Sequence, residues 1–115
     1  MAKVFGIHEI ELRPGVKEED FERFLTEEAV QLPQFQGWKF HFAKADRGVR
    51  TGKYAVIFEI ESVAARDRYA PQSDTGSEEA QRDEAPYATV LEKWSKLATI
   101  PGSDTTFTDY VVIGG

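Results

Sequence analysis

The chain has no cysteine, no asparagine, one methionine and only two histidines, His8 and His41. Without cysteine it can form no disulfide, thiolate metal site or thiol nucleophile, and the redox state of its compartment leaves no trace in the sequence. Long apolar runs are also missing. No stretch approaches the about 20 residues needed to span a bilayer, and the opening residues lack the apolar core of a signal peptide. A cytoplasmic location is the resulting expectation. Positive charge is sparse: 14 Lys and Arg stand against 20 Asp and Glu, for a net charge of −6. The basic residues are scattered, so neither nucleic acid nor an anionic membrane is expected as a partner. There is no glycine-rich phosphate loop, no nucleophile elbow and no motif that calls for a cofactor.

What is present reads as one domain over residues 1–115, a length that can bury roughly two-thirds of its unfolded surface unaided. Residues 4–12 alternate, with Val4, Gly6, His8, Ile10 and Leu12 against Phe5, Ile7, Glu9 and Glu11. After Pro14-Gly15 the apolar period switches from two to three and four, through Phe21, Phe24, Leu25, Ala29 and Leu32. That switch predicts a strand feeding a helix over 18–32, with Glu18, Glu19 and Asp20 suited to its positive N-terminal end.

A second strand follows Gln36-Gly37, with Trp38, Phe40 and Phe42 on one face and Lys39, His41 and Ala43 on the other. The third, over 53–61, is apolar at nearly every position, as in strands covered on both faces. Ser62 suits a helix N-cap before a short helix over 63–69, stopped by Pro71. Residues 72–85 are small, polar and acidic, and predict a surface insertion, a candidate lid. Pro86 fits a first helical position, and Tyr87, Val90, Leu91, Trp94, Leu97 and Ala98 trace one stripe of the helix that follows. A last strand spans 105–113.

The order β-α-β-β-α-β is the ferredoxin-like arrangement, an α+β fold with a four-stranded antiparallel sheet and the first and third strands central. Right-handed crossovers place both helices on one face. Phe5, Ile7, Ala55 and Ile57 are then left on the other, and a second copy packed sheet to sheet is the simplest cover. A homodimer, or a higher oligomer built on it, is the expected assembly.

This pattern resembles the dimeric α/β-barrel superfamily, which includes antibiotic-biosynthesis monooxygenases, stress-responsive barrel proteins and muconolactone isomerases. The residues that carry the resemblance are Glu11-Leu12-Arg13-Pro14-Gly15-Val16 with Glu18, Glu19, Phe21 and Phe24, then Gly37-Trp38, then Phe58-Glu59-Ile60-Glu61-Ser62. It implies a ligand site between the helices and the sheet of each subunit. It also implies a cofactor-independent monooxygenase or isomerase acting on an apolar or aromatic substrate. The alternative is a non-catalytic, stress-associated or ligand-binding barrel whose core is filled by its own side chains. Haem-degrading members use an asparagine and a helical histidine, and this chain has no asparagine and places both histidines on strands.

His8 is the candidate catalytic residue, because an imidazole beside a small residue, Gly6, on the helix-facing side could act as a general base. A hydrogen-bonded core histidine is its plain alternative. Trp38, His41, Tyr54 and Trp94 are the candidate ligand-binding residues, with packing as theirs. His8 and His41 cannot share a metal ion, since an intervening strand sets them roughly 10 Å apart. Glu59 becomes a candidate base only if burial raises its pKa.

Overall fold

The computed structural model describes residues 2–32, 35–69, 87–102 and 104–114. Its elements run β1 (Val4–Ile10), α1 (Glu18–Glu27), a 3-10 turn (Ala29–Gln31), β2 (Trp38–Lys44), β3 (Tyr54–Ile60), α2 (Val63–Tyr69), α3 (Ala88–Leu97) and β4 (Phe107–Val111). The four strands lie in the order β2-β3-β1-β4, antiparallel throughout, so the first and third are central in a ferredoxin-like sheet. Residues 72–85, Pro71 and Pro86 fall outside the described residues.

The Pro14-Gly15 reversal is made with Gly15 at φ +84°, a left-handed conformation that suits glycine. α1 begins with Glu18, Glu19 and Asp20 and no side-chain cap, so the acidic first turn itself offsets the exposed amides. Phe21, Phe24 and Leu25 on its inner side meet Ile10, Tyr54, Val56 and Trp94 in the core. The aromatic rings there pack edge to face, Phe21 and Phe24 standing 5.4 and 5.7 Å from Trp94.

Of the boundaries that differ from the sequence expectation, three are set by a competing bond. β1 stops at Ile10, not Leu12, since the chain turns to pair with the exit of α3: Glu11 exchanges hydrogen bonds with Thr99, and Arg13 N donates to Leu97 O. α1 stops at Glu27 and tightens into the 3-10 turn, where Leu32 N donates to Ala29 O. β4 starts at Phe107 because Thr105 is held in a turn, its hydroxyl accepting from Gly102 N at 3.1 Å.

Register assigns every strand residue to a face. Trp38, Phe40, Phe42, Tyr54, Val56, Phe58, Ile60, Val4, Gly6, His8, Ile10, Phe107 and Asp109 share the helix side. The opposite face is a grid of cross-strand rows, one of them His41, Ile57, Ile7 and Thr108 and the next Lys39, Glu59, Phe5 and Tyr110. No described helix covers that second face.

Candidate functional site

The two halves of the helix-facing sheet surface differ chemically. Over β2 and β3, Trp38, Phe40, Phe42, Val56 and Phe58 meet Tyr87, Leu91 and Trp94 around a partly open cavity of about 170 Å3, which Leu32, Phe35 and Pro101 also line. Both indoles are turned so that their N–H groups leave the cavity: Trp38 Nε1 donates to Ala65 O at 2.9 Å and Trp94 Nε1 to Thr99 O at 2.8 Å. The indole nitrogens are therefore satisfied elsewhere, and the wall is nearly all hydrocarbon and aromatic carbon. Such a wall takes an apolar guest by contact and exclusion of water, not by charge.

Over β1 and β4 lie the polar groups. His8 is 7% exposed, stacked on Phe107 at 4.7 Å and edge-on to Phe58 at 5.0 Å, with Nδ1 3.4 Å from the Thr105 hydroxyl. Desolvation among these rings lowers its pKa from 6.5 to about 4, so the imidazole is neutral at neutral pH. His8 does not line the cavity, but Phe58 touches both. The space expected above Gly6 is not vacant. Asp109, opposite Gly6 on β4, lays its carboxylate there, its Oδ1 at 2.7 Å from where a Cβ would stand. Asp109 and Arg66 are the residues that sequence reasoning missed. The available signal was an acid at an inward position between Phe107 and Val111.

The five sequence-derived site residues thus separate. Trp38 and Trp94 share the cavity; His41 and Tyr54 line a different concavity, an open groove of about 420 Å3 between α1 and β2. In that groove Tyr54 donates its hydroxyl to Glu22 at 2.5 Å, and Lys44 reaches both Glu22 at 3.2 Å and Glu18 at 3.4 Å. Burial, then the Glu22 bond, pushes the Tyr54 phenol up to about 12, while the bonds from Tyr54 and Lys44 hold Glu22 below its ordinary value. His41 points to the uncovered face, where its Nε2 lies 3.1 Å from Glu59. Lys3 also bonds Glu59, at 2.8 Å, and with His41 holds its carboxyl below the usual range, so the condition for Glu59 to serve as a base is not met. The histidines occupy opposite faces, and the described residues contain no cluster of three or more His, Cys, Asp or Glu suited to a metal.

No protein-family model matches the chain, and a search of curated proteins finds no match either. No helix among the described residues is long and apolar enough to cross a membrane.

Proposed function

We propose that this is a protein of the dimeric α/β-barrel type that binds a small apolar molecule between the sheet and the helices of each subunit. The observation that carries the reading is the aromatic-walled cavity over β2 and β3. Its size defines the guest. An apolar cavity of about 150 Å3 accommodates a benzene-sized molecule, and one of about 170 Å3 is matched to a single ring. The dimer is supported by Phe5, Ile7 and Ile57, which lie together on the face that no described helix covers, with charged Lys39, Glu59 and Glu9 around them, an apolar centre inside a polar rim.

Toluene tests the binding reading directly, because Trp38 and Trp94 are the chain's two tryptophans and both are cavity walls. Saturable change in their emission is expected, and it is lost in Val56→Phe, which fills the cavity. A folded wild-type protein whose emission is indifferent to toluene would remove the proposal.

A catalytic version, a cofactor-independent monooxygenase or isomerase with His8 as its polar group, is supported by a separate observation. His8 is neutral and shares Phe58 with the cavity. In that case His8→Ala abolishes turnover of a bound aromatic substrate while leaving the folded state intact. Equal loss of folding and activity would make His8 structural.

A further inference from the structure

Gly6 sits in a row with Phe58 on β3 and Asp109 on β4, facing the helices. A Cβ at position 6 would stand 2.7 Å from Asp109 Oδ1 and 3.8 Å from Phe58 Cβ, so the absent side chain leaves a gap that the carboxylate occupies. From α2, Arg66 Nη1 reaches Asp109 Oδ2 at 3.4 Å, while Arg66 Nε donates to Asp67 at 3.1 Å. The Arg66 and Asp109 side chains are 25% and 26% exposed. Among the described residues no side-chain nitrogen or oxygen is both sealed from solvent and without a partner. Asp109 Oδ1 and His8 Nε2 make no hydrogen bond there, and neither atom is fully sealed from solvent.

We infer that the Asp109 carboxylate seated over Gly6 is the polar end of the ligand site, and that it determines specificity by accepting a hydrogen bond from an O–H group on the aromatic ring. This rests on the cavity being a ligand site. Three points lead to a hydroxyl-bearing ring. A carboxylate paired with a guanidinium only accepts, so the guest must donate. Two carboxylates, Asp67 and Asp109, already share the one guanidinium of Arg66, which disfavours an anionic guest. The point over Gly6 that stands 2.7 Å from Asp109 Oδ1 is 3.8 Å from Cβ of Phe58, a cavity wall, so the carboxylate lies beside the cavity although it is not part of its lining.

Phenol and toluene differ in the hydroxyl alone, and their binding to the full chain, followed by tryptophan emission, isolates it. The ratio of phenol to toluene affinity is expected to fall roughly tenfold or more in Asp109→Leu, with toluene affinity unchanged, since a hydrogen bond to a charged acceptor is lost. Asp109→Asn, nearly the same size and a weaker acceptor, should fall between, and it decides the matter if the leucine variant fails to fold. An unchanged ratio in a folded variant that binds both probes overturns the role of Asp109 and leaves the cavity reading standing. Failure of wild type to bind either probe overturns both.

Discussion

His8 combines two roles that pull against each other. Its ring fills a place between Phe58 and Phe107 that any flat apolar group could fill, yet it is a group that titrates near neutrality in water. Because burial lowers its folded pKa to about 4 from 6.5, the unfolded chain takes up a proton in that interval while the folded chain does not. Stability attributable to His8 is therefore complete above pH 6.5 and falls as the pH drops towards 4, by on the order of 3 kcal/mol in full. Urea midpoints at pH 7.5, 5.5 and 4.5 should show this decline, and His8→Gln should flatten it. An equal decline in the variant would assign the acid sensitivity to other groups.

Gly6 makes the complementary case, a residue defined by what it omits. Gly6→Ala places a methyl 2.7 Å from Asp109 Oδ1, the far end of a part-exposed side chain, which must swing aside from its place near Arg66. A loss of about 1 kcal/mol is expected, the scale of one displaced hydrogen bond. Adding Asp109→Ala should restore most of it, whereas purely additive losses in the double variant would show that the two side chains do not compete for one space.

At the scale of elements, α2 shows what local chemistry fixes. Ser62 is 4% exposed and its Oγ accepts from Ala65 N at 3.0 Å, the N-cap geometry that the sequence foretold, and the helix spans Val63–Tyr69 as expected. Ser62→Ala should cost about 1 kcal/mol in thermal or urea unfolding, and Ser62→Asp, another good cap, far less. Strand faces were equally legible, because alternation in Trp38, Phe40, Phe42 against Lys39, His41 reports a period and needs no partner. Element ends were not, since β1 is cut short by Thr99 and Leu97, residues more than 80 positions away that no local pattern can reveal. The candidate site shows the same division. Trp38 and Trp94 were readable as inward aromatics, but their meeting around one cavity, and the exile of Tyr54 and His41 to another groove, depend on how α1 and α3 sit over the sheet. Asp109 over Gly6 needed the pairing of first strand with last.

For the whole molecule the open question of packing is concentrated in one surface. The helix side of the sheet is served by α1, α2 and α3, while the grid of Phe5, Ile7, Ile57, Ala55 and Tyr110 has no described helix over it. Ile57 lies near its centre, between Ile7 and His41, so in the proposed face-to-face dimer it meets the partner sheet in a desolvated position. Ile57→Lys places a charge there that water solvates in a single subunit and a dimer interface cannot accommodate, with little effect on the helix-side core. Sedimentation at micromolar concentration should therefore give a dimer for wild type and a folded monomer for Ile57→Lys. Lys39→Ala at the rim should change the assembly little, because rim charges contribute weakly to affinity. A wild-type chain that sediments as a monomer would show that its Phe5, Ile7 and Ile57 face tolerates water without a partner copy.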